Sequence, residues 1–165
     1  MTDSRLVVID NTRFIFKTNF AGDPAEDRFG SSKRRGNIII PDVDLAQALF
    51  DAGFKVKATK PKPGEEEDFE PTYYISVQLN YDSPWPPEVY LVSPGAAPIL
   101  LDAESVRVVD KAYITKVRVA LNPYENKVTG IKSMYIRTMY VEQDVGNDPF
   151  AHIYQDRDGE KVLPF

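Results

Sequence analysis

Tyr73-Tyr74-Ile75-Ser76-Val77-Gln78-Leu79-Asn80-Tyr81 alternates without a break: Tyr73, Ile75, Val77, Leu79 and Tyr81 fall on one side, Tyr74, Ser76, Gln78 and Asn80 on the other. A period of two with one apolar and one polar face is the pattern of a strand packed on a core by one side only. Weaker versions of it recur on both flanks. Arg13 to Phe20 places Phe14 and Phe16 opposite Ile15 and Lys17, and Phe54 to Thr59 places Phe54, Val56 and Ala58 opposite Lys55, Lys57 and Thr59. Asn37 to Ile40 is a short apolar run stopped by Pro41, and Val89–Val92, Tyr113–Leu121 and Ile131–Val141 bring the expectation to about seven strands.

Two segments read as helix. Asp42 is an N-cap whose carboxylate can accept first-turn N–H groups, Leu45, Leu49 and Ala52 follow at helical spacing, and Gly53 stands where a left-handed C-cap belongs. Ala103 to Val109 is the second, capped by Asp102. Lys60-Pro61-Lys62-Pro63-Gly64 and the acidic Glu65 to Asp68 form an exposed loop, since prolines cannot join a ladder and like charges repel. Short strands without a βαβ rhythm favour a small barrel or sandwich. The expected division is a domain over residues 1–145 and a mobile tail over 146–165. Phe14, Phe16, Phe50 and Phe54 are expected in the core, and Trp85, within Pro84-Trp85-Pro86-Pro87, as a ring plugging the barrel's end.

The absence of cysteine removes disulfides, thiolate metal sites and thiol nucleophiles. No run reaches the ~20 apolar residues of a membrane helix, and Met1 to Arg5 carries no signal-peptide pattern. A soluble, cytoplasmic protein with no membrane contact is the expectation. One histidine, His152, stands in the tail, and no nucleophile elbow, Walker loop or dinucleotide fingerprint occurs. Asp144 and Asp148 match no hard-cation loop. No enzyme, no cofactor and no metal are expected.

The net charge of −5 is unevenly laid out. Residues 1–64 carry 11 Lys/Arg against 8 Asp/Glu, residues 65–110 carry 1 against 10, residues 111–141 carry 6 against 1, and residues 142–165 carry 2 against 6. A basic surface can therefore exist on an acidic protein. Ser31-Ser32-Lys33-Arg34-Arg35-Gly36 reads as a flexible cationic segment ahead of a strand. Lys55 and Lys57, then Lys116 and Arg118, project at period two, and Lys132 and Arg137 lie on the last strand. Tyr74 opposes an apolar face, Tyr124 follows Asn122-Pro123 in an expected loop, and Phe20 and Phe29 flank an acidic turn. Cations with interleaved flat rings are what an unpaired nucleic-acid strand requires: charge for phosphates, faces for bases.

Phe16-Lys17-Thr18-Asn19-Phe20-Ala21-Gly22 leads to Arg35-Gly36-Asn37-Ile38-Ile39-Ile40-Pro41-Asp42, an Ala/Leu helix and Gly53-Phe54-Lys55-Val56-Lys57; later come Leu121-Asn122-Pro123-Tyr124, Gly130-Ile131-Lys132 and Met139-Tyr140-Val141. Across about residues 13–141 this order resembles bacteriophage-encoded single-stranded DNA-binding proteins with an OB fold. The resemblance implies a mostly β, OB-like five-stranded barrel, elaborated and carrying one or two short helices. It implies sequence-independent coating of single-stranded DNA in phage replication or recombination, in the cytoplasm of an infected bacterial host. The residues expected on DNA are Lys33, Arg34, Arg35, Lys55, Lys57, Lys116 and Arg118 for phosphates, with Tyr74 and Tyr124 for bases. The end of the sequence, Asp156 to Phe165, resembles the acidic, Phe-ended tails that recruit replication or recombination proteins, with Pro164 and Phe165 as the contact and Arg157 and Lys161 diluting its charge. A homo-oligomer stays open. The rival class is a protein–protein adaptor or virion structural module on the same β scaffold, with a nuclease or hydrolase built on Asp144 or Asp148 as a third.

Overall fold

The computed structural model describes residues 6–144 apart from Arg28, Glu65 and Asp68. The tail over 146–165, with His152, Asp148, Pro164 and Phe165, lies outside the described residues. Among the described residues, nine strands form one sheet: β1 (Val7–Thr12), β2 (Phe14–Asn19), β3 (Arg34–Ile39), β4 (Lys57–Ala58), β5 (Tyr73–Leu79), β6 (Glu88–Val92), β7 (Ile99–Leu101), β8 (Ile114–Glu125) and β9 (Lys132–Gln143). The main path runs β1-β8-β9-β5-β3-β2, with β4 beside β5 and the β6–β7 pair beside β9. β5 and β6 meet β9 in parallel; the other pairings are antiparallel. The fold is mostly β, as expected, but the hydrogen-bonded sheet does not close into a five-stranded barrel.

Its two ends, β1 and β2, are successive lengths of one segment with only Arg13 between them. β1 pairs with β8 and β2 with β3, so this segment borders both ends of the path. The turn between the two partners needs backbone that a regular strand lacks. Asn11 (φ 53°) and Phe16 (φ 64°) are the two non-glycine residues with positive φ among the described residues, and each sits in a register break. The Thr12 hydroxyl donates to the Ile39 carbonyl at 2.6 Å, and Ile39 N–H donates to the Arg13 carbonyl at 3.0 Å, pinning the bend to the end of β3.

The core is the inner face of this sheet. Ile38, Ile75, Val77, Val89, Val117, Val119, Leu121, Met134, Met139 and Val141 are buried there together with Phe20. Helix α1 (Val43–Asp51) adds Ala46 and Leu49. Asp42 caps it by accepting from Asp44 and Leu45 N–H, and Gly53 takes up the left-handed φ of 99° after its last turn, both as the sequence suggests. A 3-10 helix, Ser105–Asp110, stands where a second helix was expected, with Asp102 accepting from the N–H groups of Glu104 and Ser105. Its last residue holds the architecture together: the Asp110 carboxylate accepts from the Thr18 hydroxyl at 2.6 Å and from the N–H groups of Phe20 and Ala21 at 2.8 and 2.9 Å.

Several expectations are corrected. Phe14 and Phe54 pack half-buried against the core, whereas Phe16 is 62% and Phe50 60% exposed. The left-handed backbone at Phe16 turns that ring outward, against the alternation that groups it with Phe14. The strand expected over Phe54–Thr59 shrinks to Lys57–Ala58. β1 and the three-residue β7 were not anticipated, because neither alternates for long enough to be distinctive. β8 runs on through Asn122-Pro123-Tyr124, read from sequence as a loop. β1 accompanies β8 only as far as Leu121, so the missing N–H of Pro123 lies where the strand has one neighbour.

Gly36 is buried in β3, and a Cβ there would stand 2.9 Å from both Phe20 Cζ and Thr18 Cγ2. Phe20 is fully enclosed and tilted against Phe14 with ring centroids 5.4 Å apart, so it has nowhere to move. Gly36→Ala is expected to destabilise the fold by ~1–3 kcal/mol through overpacking, seen as a lower urea midpoint at unchanged slope. An unchanged midpoint would mean that Phe20 is free to shift.

Candidate nucleic-acid interface

The even-numbered side chains of β5 leave the core and start the outer face. Across the ladders Tyr74 lies opposite Ile39 and Lys57, Ser76 opposite Asn37, and Gln78 opposite both Arg35 and Tyr135. β8 continues the row, with Asn122 opposite Tyr135 and Tyr124 opposite Ser133. Two aromatic pairs stand on this face, each joining an exposed ring, Phe16 or Tyr124, to a half-buried one, Tyr74 or Tyr135. Phe16 and Tyr74 meet edge to face at 5.2 Å, and Tyr124 and Tyr135 at 5.9 Å. Tyr74 and Gln78 are four residues apart in one strand, so ~13 Å separates the two ends of the tract.

A cleft of about 780 Å³ opens at the Tyr124–Tyr135 end, lined also by Asn80, Trp85, Asn122 and Arg137. Trp85 is 86% exposed, so it does not plug a barrel end. Its turn is held by the Trp85 N–H donating to the Ser83 hydroxyl oxygen at 3.1 Å, and by the Asp82 N–H donating to the Asn80 side-chain carbonyl at 3.1 Å. Arg137 is the extra residue of a bulge: Ala120 pairs with Thr138 but Leu121 with Ile136. Such a bulge re-aims a side chain, and Arg137 lines both this cleft and a neighbouring one of about 520 Å³ that also contains Glu88 and Asp102. A third cleft of about 350 Å³ adjoins through Tyr135 and Asn80 and carries Lys33.

The cationic segment is not the flexible stretch expected. Arg34 and Arg35 open β3. Arg34 Nη1 donates to the carbonyls of Phe20 and Ala103 at 2.9 and 2.8 Å, and its guanidinium lies 5.2 Å over the Tyr81 ring. It joins the β2 end to the segment before the 3-10 helix. The Tyr81 hydroxyl beneath it is buried without a partner among the described residues, and burial pushes its pKa up. Arg35 pairs with Asp27 at 2.7 Å, which leaves Lys33 as the exposed cation of the trio.

Asp27 organises the loop from Ala21 to Lys33 through the N–H groups of Phe29 and Ser31, both at 2.9 Å. Its carboxyl is drawn down to about 2, first by the Ser31 N–H, then by the Arg35 guanidinium and the Phe29 N–H.

The other expected cations are scattered. Lys57 borders the Phe16–Tyr74 pair through its ladder partner Tyr74, and Lys55 is exposed two residues before it. Lys116 and Arg118 project outward on β8, but opposite Glu142 and Tyr140, with Arg118 Nε 3.9 Å from Asp10. Arg118 lies ~20 Å and Lys116 ~26 Å along the strand from Tyr124, beside a separate stack of Tyr90 on Tyr140 at 5.0 Å. Lys132 is engaged elsewhere: its ammonium donates to the Ala52 carbonyl at the end of α1 and lies over the Phe54 ring. Tyr135 was not singled out from sequence, Phe16 was expected in the core, and Trp85 was expected to plug a barrel end rather than line this cleft. Outward alternation in β9 could have found Tyr135; a positive φ at Phe16 has no signature in sequence.

Residues 3–160 match the family described as "Putative phage ssDNA-binding domain". The chain belongs to this family. A solved single-stranded DNA-binding protein from bacteriophage Enc34 is similar at 14% identity over 90% of this chain and 89% of that one, with a TM-score of 0.44. Its C-terminally truncated form is similar at 14% identity over 84% and 86%, with a TM-score of 0.45. No curated protein matches the sequence. The family assignment supports single-stranded DNA as the ligand class of this domain. Among its described residues no three His, Cys, Asp or Glu gather to hold a metal, and no helix is long and apolar enough to cross a membrane.

The depressed Asp27 pKa fixes a pH window. A carboxyl lowered on folding stabilises the loop fully above its usual value of 3.8 and loses that contribution as pH falls through about 2. Amide resonances of Phe29 and Ser31 should therefore titrate together with a midpoint near 2, and Asp27→Asn should abolish the transition. A midpoint at the ordinary carboxylate value would mean that the loop is not held this way.

Proposed function

We propose that this domain binds single-stranded DNA by laying it across the outer face of β3, β5, β9 and β8, with bases on the rings and phosphates on the bordering cations. The observation that carries the reading is the placement on one face of two aromatic pairs, Phe16–Tyr74 and Tyr124–Tyr135, each with one exposed ring. Lys57 stands beside the first pair, and Trp85 and Arg137 line the cleft at the second. Lys33 stands in the adjoining cleft. Stacking on an aromatic side chain is worth ~1–3 kcal/mol per base and tolerates any base. Arg34 and Arg35 act in this reading by shaping the β2–β3 loop, while Lys55, Lys116 and Arg118 extend the basic border beyond the central tract.

Taken as one bent strand, β1 and β2 give the order bent strand, β3, β5, β9, β8 and back to the bent strand. That order, with β5 parallel to β9 and the 3-10 helix between β5 and β8, supports an OB-like reading of the sheet. A role in phage replication or recombination, inside an infected bacterial cell, fits such a domain. Binding of this kind needs no catalytic step, no cofactor and no metal. Partner recruitment through Pro164 and Phe165, and self-association, belong to the same proposal. The adaptor reading draws on the second surface, where Leu100, Tyr90, Tyr140 and Arg118 lie in one cross-strand row.

Titration with oligo-dT should quench Trp85 fluorescence, more weakly as salt rises and far more weakly for duplex of equal length. Tyr135→Ala and Tyr124→Ala should each cost ~1–3 kcal/mol of affinity. Lys33→Ala should flatten the salt dependence by ~0.7 in slope, as expected for one phosphate lost from a single strand. No salt-sensitive binding of oligo-dT would remove the reading and leave the protein-interface one.

A further inference from the structure

Tyr135 occupies a special position on the outer face. It is the ladder partner of Gln78 on one side and of Asn122 on the other, so an amide–tyrosine–amide row crosses β5, β9 and β8. Ladder partners project from the same side of a sheet, on strands ~4.8 Å apart. Tyr135 also divides two clefts, with Gln78 lining one and Asn122 the other.

The two amides differ from their neighbours in being uncommitted. Asn80 uses its side-chain carbonyl on the Asp82 N–H, and Asn126 uses its own on the N–H groups of Val128 and Thr129. Neither Gln78 nor Asn122 spends its side-chain amide on another described residue. Each presents a carbonyl acceptor and an NH₂ donor a fixed distance apart. A ring stacked on Tyr135 would have one such pair at each margin.

We propose that this row reads the edge of one base, and that it favours adenine. The inference rests on the reading that single-stranded DNA crosses this face, and it adds a base preference at one position to otherwise sequence-tolerant stacking. A carboxamide satisfies an adjacent donor and acceptor at once, and adenine offers N6–H beside N7, the pairing that Asn and Gln make best. The corresponding edge of thymine presents the O4 acceptor and a methyl group, so the row is inferred to meet the N7-side edge. The free Watson–Crick edge of thymine, with N3–H beside O4, would satisfy a carboxamide equally well. The cations bordering the tract contribute nothing to this choice, because phosphate contacts carry no sequence information. Arg137 lines the same cleft as Asn122, where it is assigned to the DNA backbone in this reading.

The test compares oligo-dT with the same oligomer carrying one adenine, and with one carrying 7-deaza-adenine, which keeps the stacking area but lacks the N7 acceptor. The adenine oligomer should bind roughly fivefold or more tightly than oligo-dT, from the lower end of the discrimination such a pair gives. The 7-deaza substitution should erase most of that gain. In the Gln78→Ala/Asn122→Ala variant the ratio of adenine to thymine affinities should collapse towards one, with thermal unfolding unchanged because both side chains face outward. Equal affinities in the unaltered protein, or a gain that survives the 7-deaza base or the double substitution, would overturn edge reading and leave stacking alone. If neither oligomer binds, the DNA-binding reading fails and this inference with it.

Discussion

The structure depends on one constraint: a single short segment, Val7 to Asn19, has to serve both ends of the sheet path. It pairs with β8, bends, and pairs with β3. The two left-handed residues, Asn11 and Phe16, are where the path would otherwise overshoot. Asparagine tolerates that conformation, while a bulky residue such as phenylalanine carries strain on the order of 1–3 kcal/mol. Such strain persists only where the surroundings over-determine it. Here they do, through the Thr12 and Arg13 bonds to Ile39 on one side of Phe16 and the triple acceptance by Asp110 just after it. The same bend expels the Phe16 ring and sets it against Tyr74. The architecture and one half of the proposed interface thus have a common cause.

The polar side chains divide between building that architecture and leaving a surface for a polyanion. Arg34, Arg35, Lys132, Asp27, Asp102 and Asp110 hold backbone or one another. Lys33, Lys57 and Arg137 remain on the outer tract, with Asp82 in the cleft that carries Lys33 and Glu88 and Asp102 in a cleft that Arg137 also lines. Net charge therefore says little about the ligand. At physiological ionic strength fields between exposed charges fade over ~8 Å, so a strand running along this face would meet its local cations before the distant acidic segments.

Sequence periodicity reached the inner face and the even side of β5 because burial on one side of a strand leaves a period-two trace. The outward place of Tyr74 was legible for that reason, whereas Tyr124 was read as a loop residue and stands in β8. The Asp42 cap and Gly53 were legible because capping is local chemistry. The misses share a different origin. Phe16 and Arg137 are aimed by register breaks, and a break is set by which strands must meet rather than by the residues at the break. Arg34 and Lys132 looked like free cations because their acceptors, the carbonyls of Ala103 and Ala52, lie 69 and 80 residues away in the chain. Such partners are invisible to any local pattern.

Pairing the exposed rings with one another resolves a difficulty that a DNA-binding surface of this kind has. Large apolar faces left to water invite aggregation, yet rings buried to avoid it cannot stack on bases. In an edge-to-face pair one ring covers part of its partner while the rest of their surface stays open, and the contact itself is worth ~0.5–1.5 kcal/mol. Phe16–Tyr74 and Tyr124–Tyr135 both adopt that geometry, at 83° and 74° between planes, whereas Tyr90 and Tyr140 lie nearly flat on each other at 25° and close their facing surfaces. The two geometries hide different surfaces: the stack closes the facing sides of Tyr90 and Tyr140, whereas the edge-to-face pairs leave ring faces open beside the cations Lys57 and Arg137, which is why the proposed path runs over the first two pairs.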